Sequence, residues 1–229
     1  MLSLSPRLQA VLGFCRSLHT PGNGVLADIG TDHGYLPIAA LQQGISPAAI
    51  ACDLHPGPLS IAVENIRDAG FSGKIETRLG DGLTPLVPGE CDCIVITGMG
   101  GMRIRGILLE GMEIAKTAKR LVLQPQHDIL LLRKYLHETG FEIEGEKLVR
   151  EIVSGKEHFY AVLAARYTGE IYMWTEQEYS LGKFLLQEVG EDFQAFLACE
   201  RKKIEAYIPR IREKAALADA KKRLAMYSI

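Results

Sequence analysis

The chain has 229 residues, of which 47% are hydrophobic and 24% are charged, and its formal net charge at pH 7 is −2. This length and composition are typical of one globular domain with a smaller appendage. No apolar run approaches the ~20 residues that span a bilayer, and the N-terminus lacks the pattern of a secretory signal, so we expect a cytoplasmic protein without a membrane segment.

The cysteines argue against disulfides and against a metal site. There are five, an odd number, and most stand in apolar surroundings: Cys15, Cys52, Cys91, Cys93 and Cys199. Reduced, buried thiols are therefore expected. The closely spaced Cys91 and Cys93 have neither a second cysteine pair nor suitably spaced histidines, so no metal is predicted.

Strands and helices alternate along most of the chain. Residues 4–19 predict a helix, because Ser5 and Pro6 suit its first turn and apolar residues recur on one face. Further along, strands are predicted at 24–30, 49–54, the start of 74–82, 91–101 and 120–125, and helices at 36–43, 59–69, about 102–115 and 129–139. Two later segments, FEIEGEKLVREI and EHFYAVLAARY, predict a terminal antiparallel pair.

The central strands are apolar without polar alternation, as at 95–96 and 121–123. Such strands are buried on both faces, as in a parallel sheet that is covered by helices. The alternation of strands and helices therefore predicts a doubly wound α/β domain over residues 1–167.

The pattern changes after Gly169. Residues 175–229 carry no strand signal, and their apolar positions recur at helical spacing. Gly190 indicates a turn between two helices, and Pro209 should kink or interrupt the second one. A coiled-coil-like helical hairpin is therefore predicted, in a second domain spanning 168–229. Residues 195–229 hold nine Lys or Arg against four Asp or Glu, which suits a nucleic-acid partner or simply a solvated helix face.

Candidate ligand-binding segments follow the first strands, because ligands of a doubly wound sheet bind beyond the carboxyl ends of its strands. The first segment begins at Asp28, and Gly30 and Gly34 within it let a ligand approach the backbone. Asp53 ends the second strand, with Leu54 beside it, and its carboxylate can accept hydrogen bonds from two ribose hydroxyls at once.

Two further segments complete the predicted cofactor site. Asp81 and Gly82 can place a carboxylate beside an adenine amine. In the segment Gly98, Met99 and Gly100 the glycines leave room for a substrate to approach the cofactor, and Met99 has the alternative role of packing. Asp53 and Asp81 have the alternative role of capping turns.

The first loop, DIGTDHGYLP, departs from a dinucleotide-binding turn, because Asp32 stands where D-x-G-x-G-x-G requires glycine. A pyrophosphate needs bare N–H groups at a helix N-terminus, and a carboxylate would repel it. S-adenosylmethionine has no phosphate and carries a sulfonium and an ammonium. The loop therefore favours a methyl donor over a nicotinamide dinucleotide.

The motifs DIGTDHGYLP, ACDLHPGPL, RLGDGL, ITGMGG, LQP and GKEHFYAV together resemble the bacterial tRNA adenine-22 N1-methyltransferase family. The resemblance covers the whole α/β domain in the expected order, and the tail is similar to the coiled-coil appendage of that family. It implies a Rossmann-like class I methyltransferase domain that uses S-adenosyl-L-methionine to methylate N1 of an adenine in tRNA. One departure is Gln126, since the family tends to have asparagine there; the extra methylene bears on how the target base is held.

Asp32 is the first candidate for a catalytic residue, because a carboxylate would stabilise the positive charge that the adenine ring gains. His33 and Tyr35 would orient Asp32 or stack on the base. Each has an alternative role: Asp32 as a helix cap, His33 as a structural histidine and Tyr35 as a core residue.

The basic residues of the tail, with Arg7, Arg103 and Arg105, are the candidate contacts to tRNA, although each arginine also suits an ordinary surface position. A monomer or weak dimer is expected. Three other functions remain: a methyltransferase of another substrate, a non-catalytic RNA-binding protein with a vestigial cofactor pocket, and a nicotinamide-dependent enzyme, which the acidic loop disfavours.

Overall fold

A seven-stranded sheet forms the first of two units, in the order β3-β2-β1-β4-β5-β7-β6. Its strands are β1 (Val25–Ile29), β2 (Ala48–Asp53), β3 (Ile75–Leu79), β4 (Cys93–Met99), β5 (Arg120–Pro125), β6 (Phe141–Val153) and β7 (Lys156–Tyr167). β1 to β5 are parallel, whereas β7 is antiparallel to both of its neighbours. This computed structural model describes residues 4–16 and 24–228.

In the described part of the first unit, six helices connect and cover these strands. They are α1 (Pro6–Arg16), α2 (Tyr35–Gln42), α3 (Pro56–Asp68), α4 (Gly101–Glu110), α5 (Met112–Ala115) and α6 (Ile129–Glu138). The part of the first predicted helix beyond residue 16 lies outside the described residues. The helix predicted near 102–115 is divided at Gly111, where a Cβ atom would lie 2.5 Å from the Cβ of Leu83.

The predicted doubly wound α/β architecture is confirmed. The apolar runs at 94–96 in β4 and 121–123 in β5 are no more than 1% exposed, as expected for strands that are covered on both faces. α1 contributes Val11, Leu12 and Cys15 to the same core cluster as Val122 and Val162 of the sheet. Arg7 in its first turn donates to the Gln124 side chain, so this turn lies near the carboxyl end of β5.

The β6–β7 pair is longer than the sheet beside it. β7 pairs with β5 from Ala165 to Leu163, whereas its pairing with β6 continues as far as Val153 and Lys156. Because β5 ends at Pro125, residues 149–160 extend beyond the carboxyl edge of the parallel strands. We refer to residues 149–160 as the projecting hairpin.

The second unit, residues 174–229, is helical in its described part, which confirms the predicted class of this region. Its helices are α7 (Glu176–Leu181), α8 (Lys183–Gln187), α9 (Glu191–Tyr207) and α10 (Lys214–Met226). α9 and α10 contact each other across a turn that contains the 3-10 helix Ile208–Arg210. Buried apolar residues of the two helices include Phe193, Leu197, Ile204 and Ala220.

The predicted turn at Gly190 is present, because Gly190 lies between α8 and α9 and is the N-cap residue of α9 in extended conformation. The predicted interruption at Pro209 is present too, because proline has no N–H to continue the helix and the chain passes from α9 through the 3-10 helix to α10. The two helices that contact each other are α9 and α10, on either side of this interruption. The two units divide after Met173, six residues beyond the predicted boundary at 167, and the N–H groups of Thr168 and Gly169 donate to the Gly140 carbonyl in the first unit.

Four of the five cysteines are buried, and Cys199 is half-buried. Within residues 4–16 and 24–228, no cluster of three or more potential metal ligands is present. Over the same part of the chain, none of the helices combines the length and the apolar character that crossing a membrane requires.

Candidate active site

A cleft of about 600 Å³ lies at the carboxyl ends of β1 to β4. Its volume lies within the range that small-molecule sites commonly have. The predicted cofactor-binding residues that line it are Asp28, Gly30, Asp53, Leu54, Asp81, Gly82, Gly98 and Met99. The predicted catalytic residues Asp32, His33 and Tyr35 line it as well, together with Arg7 and Arg103.

Asp28, in β1, is the most deeply buried acid of the cleft, with 3% of its surface exposed. The Thr31 hydroxyl donates a hydrogen bond of 2.7 Å to its Oδ2 atom. The pKa of the Asp28 carboxyl is raised to about 7: burial is the main cause, the hydrogen bond from Thr31 opposes the rise, and the charges of Asp53 and Asp32 add to it. Asp28 is therefore an acid whose charge is costly unless a cation lies close to it.

The loop after β1 turns through left-handed backbone conformations. Gly30 has φ of 73°, and a Cβ atom there would lie 2.3 Å from the Cε of Met99. Asp32 has φ of 55°, a conformation that aspartate tolerates better than most residues because its side chain is short and polar. The N–H of Asp32 donates to Asp53 Oδ2 at 3.1 Å, so the loop is tied to the end of β2.

The carboxylate of Asp53 is fixed by two backbone groups. In addition to the bond from Asp32, the N–H of His55 donates to Asp53 Oδ1 at 2.9 Å. Each carboxylate oxygen has a second acceptor position, so both ribose hydroxyls could still donate to Asp53. This arrangement orients the carboxylate before any ligand binds.

Asp81 follows β3, and its side chain is 44% exposed. The guanidinium of Arg103 forms an ion pair with it, with Nη2 2.5 Å from Oδ1. Arg105 does not line the cleft; its guanidinium carbon lies 5.4 Å from the ring centroid of Tyr135. Arg103 and Arg105, two of the three arginines that were predicted to contact tRNA, therefore have partners within the protein.

Two of the predicted glycines lie outside the cleft lining. A Cβ atom on Gly34 would lie 3.2 Å from the Cβ of Ala62 in α3, and one on Gly100 would lie 2.5 Å from the His127 ring. Packing between elements thus explains why glycine suits both positions. The predicted approach of a ligand to these two residues stays untested.

The catalytic candidates lie at the mouth of the cleft. The side chain of Asp32 is 68% exposed, with Oδ2 3.5 Å from His33 Nε2, and the rings of His33 and Tyr35 are 5.7 Å apart. Gly34 is the N-cap residue of α2, and no side chain caps this helix, so Asp32 does not have the alternative capping role. Tyr35 is 41% exposed, which argues equally against a core role.

Sequence reasoning missed the part that Gln124 has in this site. Gln124 is fully buried in β5, and its Oε1 accepts hydrogen bonds from Arg7 Nη1 at 2.9 Å and from the Gly98 N–H at 3.2 Å. A glutamine inside the apolar strand LVLQP was the available signal, because a buried amide needs partners. The side chain of the neighbouring Gln126 is exposed instead, and its N–H donates to the Met99 carbonyl.

The comparisons with known proteins agree with one another. The family model described as TrmK, tRNA (adenine(22)-N(1))-methyltransferase, matches residues 26–226. A Bacillus subtilis protein named tRNA (adenine(22)-N(1))-methyltransferase is 37% identical over 164 residues, which span 72% of this chain and 65% of that protein. A Mycoplasma pneumoniae relative is 33% identical over 69% of this chain and 71% of its own length.

Solved structures extend the likeness over nearly the whole chain. The crystal structure of the B. subtilis m1A22 tRNA methyltransferase TrmK has a TM-score of 0.84 at 29% identity, covering 99% of this chain and 98% of that one. A Streptococcus pneumoniae protein in complex with S-adenosyl-L-methionine has a TM-score of 0.85 at 31% identity, covering 98% of both chains. The resemblance inferred from the motifs is therefore confirmed, and the chain belongs to the TrmK family of tRNA (adenine(22)-N(1))-methyltransferases.

Proposed function

We propose that the protein transfers a methyl group from S-adenosyl-L-methionine to N1 of adenine 22 in tRNA. The observation that carries the proposal is a cleft lined by four carboxylates, those of Asp28, Asp32, Asp53 and Asp81, in a chain of the TrmK family. A phosphate-free cationic cofactor suits these acids, whereas a dinucleotide does not. The S. pneumoniae relative in complex with S-adenosyl-L-methionine supports the same cofactor.

The residues of the cleft fit this cofactor. Asp53 would accept hydrogen bonds from the ribose, Asp81 would accept one from the adenine amine, and Asp28 would face the positive charge of the methionine part. Leu54 and Gly82 belong to the same segments, and Gly30, Gly98 and Met99 line the same cleft. When bound, the cofactor supplies a methyl group on a positively charged sulfur.

Methyl transfer to adenine N1 requires little acid–base catalysis from the protein. Adenine N1 keeps a lone pair near neutral pH, so catalysis depends mainly on positioning and on stabilising the charge that the ring gains. Asp32 supplies a carboxylate at the mouth of the cleft, and His33 and Tyr35 lie beside it. Where N1 is stacked or paired, exposing the base costs roughly a few kcal/mol.

We propose that the basic residues of the second unit bind the tRNA phosphates. All nine Lys and Arg of 195–229 are exposed. Ion pairs engage Arg201 and Lys203; among the described residues the other seven have none: Lys202, Arg210, Arg212, Lys214, Lys221, Lys222 and Arg223. Unpaired cations bind phosphates without first breaking a salt bridge, so binding should weaken with salt. A tRNA substrate also implies a cytoplasmic location.

Mass mapping of methylated nucleosides tests this function. A tRNA transcript with adenine at position 22 should gain N1-methyladenosine there, and a matched transcript with guanine at position 22 should gain none. Methylation of both transcripts would instead indicate another target. Cofactor binding without methylation of any RNA would favour the vestigial-pocket alternative, and binding of NAD in place of S-adenosylmethionine would favour a nicotinamide enzyme.

A further inference from the structure

Arg7 is held at the rim of the cleft by contacts from three strands. Its backbone N–H donates to Glu151 Oε1 at 2.7 Å, and its Nη1 donates to Gln124 Oε1 at 2.9 Å. Its guanidinium carbon lies 5.0 Å from the ring centroid of Tyr160, within the range of a cation–π interaction. The guanidinium is therefore oriented by β5 and β7 while its backbone is anchored to β6.

Several donors of this guanidinium are not used by the protein. Arginine has five N–H donors, and the Nε atom of Arg7 is buried without a hydrogen-bond partner among the described residues. Leaving a buried charged donor unsatisfied is unfavourable. The Nη2 atom has no hydrogen-bond partner among the described residues either and is not buried, and because Arg7 lines the same cleft as Asp28 and Asp32, the Nη2 donors are available to a group of the substrate.

Aromatic rings continue the arrangement along the projecting hairpin. The rings of His158 and Tyr160 are stacked, 6.1 Å apart and inclined by 8°. His158 is exposed and Tyr160 is half-buried beneath Arg7. A row of one guanidinium and two rings, beside a catalytic cleft, has the chemistry of sites that bind unstacked nucleotides.

Electrostatics decides which part of a nucleotide Arg7 should bind. During methyl transfer the target adenine gains positive charge, so a guanidinium against that ring would raise the barrier. A phosphodiester is an anion, and its two free oxygens match the planar fork of arginine. The ligand of Arg7 is therefore the backbone rather than the reacting base.

We propose, building on the proposed function, that Arg7 binds the phosphodiester next to the target adenosine. Gln124 and Tyr160 are positioning residues that hold the guanidinium in place, and His158 offers a ring to a neighbouring base. Since Gln124 Oε1 also accepts from the Gly98 N–H, the same amide joins the phosphate site to the cofactor cleft.

Substitution of Arg7 gives the first test, with Arg16 at the other end of α1 as the matched control. Arg7→Ala should raise the KM for tRNA about tenfold or more, the loss expected when a charged hydrogen bond is removed. The slope of log KM against log salt should fall by about one, and cofactor affinity should not change. Arg16→Ala removes the same charge about 14 Å along the helix and should leave the KM near that of wild type. Equal KM values for the two variants would overturn the proposal.

A chemically altered tRNA gives the sharper test. Two tRNAs are needed, each with a neutral methylphosphonate in place of the phosphodiester on one side of the target adenosine. One of the two should bind to the wild type about tenfold more weakly than unmodified tRNA. The same replacement should cost Arg7→Ala almost nothing, because the two changes remove one interaction. Gln124→Leu should reduce the penalty too, which a purely structural role would not do. If each methylphosphonate weakened tRNA binding to Arg7→Ala as much as it weakens binding to the wild type, the assignment of Arg7 to a phosphodiester would be contradicted.

Failure of this inference can be told apart from failure of the proposed function. If the wild type methylates adenine 22 and Arg7→Ala is equally active at every salt concentration, the inference about Arg7 is wrong while the proposed function stands. If no methylation occurs, direct measurement of tRNA affinity still tests Arg7. If Arg7→Ala does not fold, Arg7→Lys can replace it, because lysine keeps the charge above Tyr160. Arg7→Lys should lose the bidentate contact and retain only part of the affinity for tRNA. A tRNA affinity equal to that of the wild type would count against the proposal.

Discussion

The buried carboxyl of Asp28 should make the fold less stable as the pH rises. Its folded-state pKa of about 7 lies above the ordinary value near 4, so its contribution is fully present below about pH 4 and is lost as pH rises through 7. Asp28→Asn, which keeps an acceptor for Thr31, should therefore unfold at a higher temperature than wild type at pH 8, with a smaller advantage at pH 5. Thermal unfolding of the cofactor-free proteins checks this.

Asp68→Asn is the matched control for that experiment, because Asp68 is exposed. A difference between Asp28→Asn and wild type that did not change with pH would contradict the prediction. Cofactor affinity should move in the opposite direction and fall in Asp28→Asn, since the charge faces the cofactor in the proposed function. A residue that lowers stability while aiding binding is typical of functional sites.

Asp32 should affect turnover more than cofactor affinity. Asp32→Asn is the better variant, because asparagine also tolerates φ of 55°, whereas alanine would add backbone strain. We expect single-turnover methylation to slow about tenfold to a hundredfold, with cofactor affinity by calorimetry changed far less. Equal losses of rate and affinity would remove Asp32 from the catalytic role, and Asp53→Ala provides the contrast, because it should weaken cofactor binding directly.

At the scale of single elements, the Thr175 capping box should fix the start of α7. The Glu178 N–H donates to Thr175 Oγ1 at 3.2 Å, and the Thr175 N–H donates to Glu178 Oε2 at 2.7 Å. Thr175→Ala should destabilise this helix by about 1 kcal/mol. Amide exchange of residues 176–181 should accelerate about fivefold, with the amides of β1 as an internal reference. Unchanged exchange in α7 would show that packing alone holds it.

The elements of the α/β unit could be predicted because their signals are local. The apolar runs of β4 and β5 and the glycines after several helices fix type and position within a few residues. The turn at Gly190 and the interruption at Pro209 have local signals too, whereas the contact of α9 with α10 could not be predicted, because helical spacing alone does not say which helices pack together. Likewise, the bond between Arg7 and Gln124 joins residues 117 positions apart, and no local pattern reports such a contact.

At the scale of the whole molecule, the second unit should be needed for tRNA affinity and dispensable for the cofactor. A chain ending at Met173 should bind S-adenosylmethionine like the full chain, since the cleft is lined only by residues of the first unit. Its tRNA affinity should fall at least tenfold, because the seven unpaired cations are removed. Unchanged tRNA affinity, by filter binding, would make the second unit structural.

The position of the cut should itself matter. A chain ending at Tyr167 loses the hydrogen bonds that Thr168 and Gly169 donate to the Gly140 carbonyl and that Tyr172 donates to the His137 carbonyl. It should therefore unfold several degrees below the chain ending at Met173, as thermal denaturation would reveal. If the two truncated chains unfolded at the same temperature, the first unit would need no residue after Tyr167 for its stability.

The buried carboxyl of Asp28 also couples ligand uptake to proton release. With a pKa of about 7, it is close to half protonated at neutral pH, and a cation bound against it would drive that proton into solution. About half a proton should leave per cofactor molecule bound at pH 7. The calorimetric heat of binding should then depend on the ionisation enthalpy of the buffer, differing between phosphate and Tris, and this dependence should vanish in Asp28→Asn.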